Sequence, residues 1–217
     1  MRLLVATRSR GKQDEIRRLI ADPAIEVVFP DQAGIYPAPI EDSLELADSF
    51  QANARAKAEY FARQSGLPTV ADDSGLEVLS LGGEPGVRSR RWAGARGTDA
   101  EIDAANNAML LARLAGAPPP KRRARYRCVL VLYRTPRAFP ETFEGSCHGL
   151  IVEEPKGSHG FGYDPLFFSE ALGKTFGEAA PQEKDAVSHR GQAFRELLRA
   201  LGSLPDYSGP ASSSEVP

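Results

Sequence analysis

Residues 68–78 read Pro-Thr-Val-Ala-Asp-Asp-Ser-Gly-Leu-Glu-Val, and no other stretch limits the fold as tightly. A short apolar run ends in two adjacent carboxylates, Ser74-Gly75 signals a turn, and a second apolar alternation starts at Leu76. Carboxylates at the end of a strand, beside a turn, are placed to hold a divalent metal or to activate a water. Asp and Gly also favour turns in their own right, so an Asx-type turn closing the strand is the plainer alternative for these residues. Side chains alternate along a strand. If the strand runs on through both acids, Asp72 and Asp73 cannot face the same cleft.

The flanking pattern is that of an α/β chain. Leu3-Leu4-Val5-Ala6 is an apolar run of the buried-strand kind. Thr7-Arg8-Ser9-Arg10-Gly11-Lys12 follows, and then Ile16, Leu19 and Ile20 recur at helical spacing. Strand, polar loop and helix together aim backbone N–H groups and a positive dipole end at an anion; Thr7, Ser9 and Lys12 add two hydroxyls and a charge. The spacing approaches a Walker loop but fails at both ends, with Ala6 at the first Gly and Gln13 at the final Ser or Thr. A solvated, capped loop fits the same residues. Residues 25–29 alternate as a second strand, and Pro30, Gly34, Pro37 and Pro39 mark a loop. A helix is expected from Asp48 or Ser49 to Gly66, with Phe50, Ala54, Ala58 and Phe61 as its apolar stripe and Asn53 and Lys57 one turn apart. Glu41, Asp42 and Glu45 stand just before it, where a helix dipole favours acids.

Beyond the central strand, a glycine-rich turn leads into Arg88, Arg90 and Arg91, which suit either phosphates or a solvated edge. Thr98-Asp99-Ala100-Glu101 is a capping box that opens a helix running to Gly116. The one basic run, residues 121–127, leads into the strongly β stretch Cys128 to Tyr133; outward charges on a strand explain it more simply than a nucleic-acid patch. Phe139 to Phe143 and Leu150 to Val152 read as two further strands with Gly145 and Gly149 between them. The loop from Gly157 to Pro165 sets Phe161 and Tyr163 among glycines. Such a loop lets a ligand approach the backbone and a base stack on Phe161. Ser188 caps a last helix carrying Ala193, Leu197, Leu198 and Leu201. His189 and Arg190 in its first turn oppose the dipole unless an anion lies nearby.

Composition narrows the classes. With 217 residues the chain suits one compact domain, or one domain with two lobes. Residues 203–217, rich in Ser, Pro and Gly, read as a disordered tail behind a domain of residues 1–202. Lys plus Arg total 27 against 29 Asp plus Glu, a balance that argues against a dedicated nucleic-acid or anionic-membrane protein. No apolar run approaches the ~20 residues of a membrane helix, and the first residues read as a strand rather than a signal peptide. Cys128 and Cys147 form no disulfide framework or zinc pattern, so a cytoplasmic protein is expected.

Six segments, in order, resemble the motifs of the inosine/xanthosine triphosphate pyrophosphatases, which remove noncanonical purine nucleotides. They are Ala6-Thr7-x-Ser9-x-Gly11-Lys12, Ser49-Phe50-x-x-Asn53-Ala54-x-x-Lys57-Ala58, Ala71 to Leu76, Leu81-Gly82-Gly83-x-Pro85-Gly86, Gly160 to Pro165, and Glu183-Lys184-x-Ala186-Val187-Ser188-His189-Arg190-Gly191. The chain departs from the family at Ser9, usually Asn, and at Ala52, usually Glu. The resemblance implies an α/β fold with a long mixed β-sheet and flanking helices, forming two lobes around a nucleotide cleft, and usually a homodimer. It implies hydrolysis of ITP, dITP or XTP to the monophosphate and pyrophosphate with Mg2+. Carried over by motif, Thr7, Ser9 and Lys12 hold phosphates, Glu45 and Asp73 hold the metal, and Asp73 is also the catalytic base. Ser74, Phe161, Gly162, Tyr163, Asp164, Lys184, His189 and Arg190 hold the nucleotide.

The chemistry is consistent with this. A triphosphate carries about four negative charges and calls for cations, N–H donors and a metal. Hard oxygen ligands suit magnesium, and a 6-oxo purine accepts where adenine donates. A related pyrophosphatase for modified pyrimidine nucleotides, of the septum-formation inhibitor family, is the alternative enzyme. An RNA-binding module built on residues 121–127 is the alternative of another class.

Overall fold

The computed structural model describes residues 1–202, so the tail expected over 203–217 lies outside the described residues. Among these residues seven strands form one sheet: β1 (Arg2–Val5), β2 (Glu26–Val28), β3 (Thr69–Val78), β4 (Arg123–Tyr133), β5 (Glu141–Ile151), β6 (Phe167–Ser169) and β7 (Lys174–Thr175). Their order is β2-β1-β3-β4-β5-β6-β7. β1 runs parallel to β2 and β3, and every later pairing is antiparallel. The sheet is therefore mixed and changes character at β3. Among the described residues five α-helices flank it: α1 (Arg10–Leu19), α2 (Phe50–Ser65), α3 (Asp99–Arg113), α4 (Pro181–Val187) and α5 (His189–Ala200).

The caps follow the sequence. Ser49 Oγ accepts from Ala52 N at 3.2 Å to start α2, and Gly66, at φ 70°, ends it. Thr98 and Glu101 close their box on α3, and Ser188 Oγ accepts from Gly191 N at 3.0 Å on α5. Period-two alternation then decides what each face of β3 meets. Val70, with Leu130 and Leu132 of β4, packs against Ile16 of α1 and Phe194 and Leu197 of α5. Ala71, with Val131, faces the other way onto Ala54, Ala58 and Phe61 of α2. Farther along, Leu76, Val78 and Tyr126 join Leu110 of α3, Phe167 and Phe176 in a third cluster.

Three expectations need correction. Ser74-Gly75 is not a turn: β3 runs straight through it, with Ser74 opposite Cys128 and Gly75 opposite Arg127. Gly75 is required by close approach, because a Cβ there would run into the Gly86 carbonyl and the Ser89 hydroxyl. The two strands expected within residues 139–152 are one, β5 (Glu141–Ile151), whose Gly145 and Gly149 leave room for the carbonyls of His189 and Phe168. The loop before α2 contains a 3-10 helix, Pro39–Glu45.

Candidate active site

β1 stops short. It pairs with β3 only as far as Val5 opposite Val70, with one more bond from Ala6 N to Val70 O at 2.8 Å. On that edge β3 is next covered at Leu76, whose N–H reaches Ser89 Oγ at 2.9 Å, and at Val78, bonded to Glu84 O at 3.0 Å. Between these points the edge of β3 opens into a cleft of about 680 Å³. It lies past the carboxyl end of a parallel strand, the usual ligand position in open α/β sheets. Every site residue expected from the sequence lines it: Thr7, Ser9, Lys12, Glu45, Asp73, Ser74, Phe161 to Asp164, Lys184, His189 and Arg190.

Alternation sends the two central acids to opposite sides. Asp73 turns toward α2, where Asn53 Nδ2 donates to its Oδ2 at 3.0 Å and Lys57 Nζ lies 3.5 Å from Oδ1. The same ammonium reaches Glu45 Oε1 at 2.6 Å and the Asp72 carbonyl at 2.7 Å. Lys57 holds the Glu45 carboxyl down to about 2, while burial pushes Asp73 above its ordinary value. One acid is thus firmly ionised and its neighbour made more basic.

Asp72 turns toward α1 and α5 and is fully enclosed. Arg190 Nε donates to it at 3.0 Å, Cys128 Sγ lies 3.1 Å away, and Lys12 forms an ion pair with it. Burial opposes its charge, but Arg190 and Lys12 hold it well below the carboxylate range. Arg190 also donates to Ser74 Oγ at 2.8 Å and pairs with Glu15, which in turn accepts from Lys184 at 2.6 Å. Lys184 bonds Asp164 at 2.5 Å. Three cations, Lys12, Lys184 and Arg190, therefore meet three acids, Asp72, Glu15 and Asp164, beneath the cleft. Here are the anions that Arg190 at the start of α5 calls for. Of the three cations Lys12 has the most exposed side chain, at 17%, and is the freest to turn toward an incoming anion.

The aromatic wall is built on the same charges. Lys184 Nζ and Arg190 Cζ lie 5.1 and 5.7 Å from the Phe161 ring centre. His189 stacks on Tyr126 at 4.6 Å and 7°. Burial and then Arg190 hold its pKa well below the ordinary value, so it is neutral and not the cation its position suggested. Ser9 caps α1 without a side-chain cap bond, so its hydroxyl is not spent on the helix.

The sequence reading missed several residues here. Glu15 sits one turn beyond Lys12 on the same face of α1, which is the signal that was available. Lys57 stood out for its spacing from Asn53 but not as a partner of both candidate metal ligands. Arg8 clamps Glu41 through two bonds of 2.6 and 2.8 Å and so ties the phosphate-side loop to the segment bearing Glu45. The basic run is largely spent: Arg122 is buried against four main-chain carbonyls, Arg125 pairs with Glu77, and Arg127 pairs with Glu77 and Glu144. No helix among the described residues is long and apolar enough to cross a membrane.

Fold and cleft define an α/β protein whose strand-edge site gathers two carboxylates and a cation-flanked aromatic ring in one cleft. The chain belongs to the Ham1 family, matching it over residues 3–200. It is 44% identical to a Frankia alni protein named dITP/XTP pyrophosphatase, with 93% of this chain and 97% of that one aligned. A Yersinia pseudotuberculosis protein of the same name is 43% identical, over 92% and 98% of the two chains. Among solved structures, a HAM1 protein from Coxiella burnetii superposes with a TM-score of 0.80 at 35% identity, covering 94% of this chain and all of that one. The nucleoside-triphosphatase / dITP/XTP pyrophosphatase from Mycobacterium abscessus gives 0.69 at 41% identity, covering 91% and 99%.

Proposed function

We propose that this protein hydrolyses noncanonical purine nucleoside triphosphates (ITP, dITP and XTP) to the nucleoside monophosphate and pyrophosphate. One observation carries the reading: the Glu45–Asp73 pair, the Lys12 loop and the cation-flanked Phe161 ring open into a single cleft. Relatives at 43–44% identity named dITP/XTP pyrophosphatase support it. Thr7, Ser9, Lys12 and the first N–H groups of α1 bind the phosphates. Asp73, more basic than an ordinary aspartate and steadied by Asn53, takes the proton of the attacking water. Phe161 stacks on the base, and the neighbouring loop with Ser74, Lys184, His189 and Arg190 holds the nucleotide. The Arg190 guanidinium or a backbone N–H donates to the 6-oxo group.

Glu45 and Asp73 would hold Mg2+. The donor set fits: both are hard oxygen ligands, and Glu45 stays ionised down to about 2. Magnesium characteristically takes one or two carboxylates and fills its shell with phosphate oxygens and water. When bound, it neutralises charge developing on the transferred phosphate. Lys57, paired with Glu45 at 2.6 Å and with Asp73 at 3.5 Å, offsets the repulsion between the two acids. We further propose one two-lobed domain over residues 1–202, a homodimer, and a cytoplasmic location.

The test is a panel of nucleoside triphosphates assayed with Mg2+ for both phosphate products. Inosine and xanthosine triphosphates are expected to turn over far faster than ATP or GTP, with pyrophosphate released. Orthophosphate as the product would place the cut at the wrong bond and sink the proposal.

A further inference from the structure

Helix α3 lies outside the six motifs, yet it grips the base-side loop by its backbone. Asp103 and Asn107 are four residues apart and so share one face of α3. Asp103 Oδ2 accepts from the Gly162 N–H at 2.7 Å, and Asn107 Nδ2 donates to the Gly162 carbonyl at 3.0 Å. Both backbone polar groups of one loop residue are thereby held. Gly162 is at φ 64°. As the residue with the widest backbone freedom, it is where a loop of this composition would otherwise pivot, carrying Phe161 and Tyr163 with it.

The clamp is itself braced. Asp103 Oδ1 takes Arg90 Nη1 at 3.1 Å, and the other arm of Arg90 reaches Asp99 at 2.5 Å. Asn107 Oδ1 is shielded from solvent and accepts no hydrogen bond among the described residues, so the Gly162 carbonyl is what orients this amide. Tyr163 Oη bonds Ser89 O at 2.9 Å, and the Phe161 N–H bonds Asp164 Oδ2 at 2.9 Å. Asp103 also lines the cleft.

We infer that Asp103 and Asn107 are positioning residues for purine recognition: by fixing Gly162 they hold the Phe161 ring where the substrate base docks. This rests on the reading under Proposed function. The base contacts need the loop at one depth and angle. The phosphate contacts come from Thr7, Ser9, Lys12 and the start of α1, whereas the side chains of Asp103 and Asn107 are spent on Arg90 and Gly162.

That division supplies the test. Dissociation constants for inosine monophosphate and for inorganic tripolyphosphate are measured on the full chain and on Asp103→Ala, Asn107→Leu and Asp103→Asn, together with KM and kcat for inosine triphosphate. In Asp103→Ala and Asn107→Leu, Kd for the monophosphate and KM are expected to rise about ten-fold. Tripolyphosphate affinity should stay unchanged and kcat should fall less than KM rises. Asp103→Asn keeps an acceptor for the Gly162 N–H and should recover most of the affinity. Wild-type monophosphate affinity in the folded Ala and Leu variants overturns the inference. So does a parallel loss of monophosphate and tripolyphosphate binding, which would report general loosening. Should the variants not fold, amide exchange at Gly162 in the unsubstituted protein decides: protection comparable to the strands supports the clamp, and exchange at the rate of a free loop overturns it. An unsubstituted protein that releases no pyrophosphate from inosine triphosphate would overturn the proposed function, while the Gly162 exchange would still judge the clamp.

Discussion

At the scale of single residues, the site is a set of charges kept apart by strand alternation. Asp73→Asn keeps shape but removes charge and basicity. Loss of a general base is typically worth ~10²–10⁴-fold, so near-complete loss of turnover with folding intact is expected in a steady-state assay. Asp72→Asn instead leaves Arg190 and Lys12 short of a buried counter-charge, an imbalance of the kind that costs about 3–5 kcal/mol; its effect should appear mainly in urea unfolding. Equal losses of turnover at unchanged stability would mean that both acids serve the reaction. Glu15 gives a pH prediction. Burial alone would raise its pKa, but Lys184 and Arg190 bring it from 4.5 down to about 2. Its folded value is depressed, so its contribution is complete above 4.5 and lost as pH falls toward 2. Urea midpoints should therefore drop between these values, and Glu15→Gln should be less stable at neutral pH with a flatter acid limb; an unchanged limb would refute the assignment. The motif residues were legible because hydroxyls, glycines, acids and cations in short loops have few other uses. Glu15 and Lys57 were not, because a Glu or Lys on an amphipathic helix reads as solvated until another element supplies its partner.

Elements show the same division between local and tertiary signals. The helix starts at Ser49, Thr98 and Ser188 were readable because a cap is a contact over three residues. Strand β3 was misread as ending at Ser74-Gly75, since glycine signals a turn locally while its cause here is the Gly86 carbonyl eleven positions on. Gly145 and Gly149 misled in the same way within β5. Substitution separates the two uses of glycine. Gly75→Ala forces a methyl into backbone and should cost ~1–3 kcal/mol as overpacking. It should also disturb the Ser89 contact that lies next to the cleft. Gly66→Ala meets nothing within 4 Å but must hold φ 70°, for a cost of about 1 kcal/mol. Calorimetric midpoints should rank Gly75→Ala as the more damaging; the reverse order would mean that β3 can shift away from the Gly86 turn.

Two long strands tie the described residues together. β3 contributes Val70, Ala71 and Leu76 to three different apolar clusters, and β4 contributes Leu130, Val131 and Tyr126 to the same three. Neither side of the cleft can lose its packing without disturbing strands shared with the other. Chains beyond ~150 residues often unfold through intermediates, so this continuity has a measurable consequence. A single calorimetric transition is expected, with calorimetric and van't Hoff enthalpies equal. The cleft gathers residues from the first loop through β3 to the start of α5, so a ligand bound there draws on the same cooperative unit. At a hundred times its Kd, inosine monophosphate adds ~2.7 kcal/mol, and for a protein of this size each kcal/mol raises Tm by ~2–4 °C. The whole transition should move upward by ~5–10 °C without broadening. If instead the endotherm splits, or only a part of it moves with ligand, the two sides of the cleft are separate folding units joined by β3 and β4, and the nucleotide is held by just one of them.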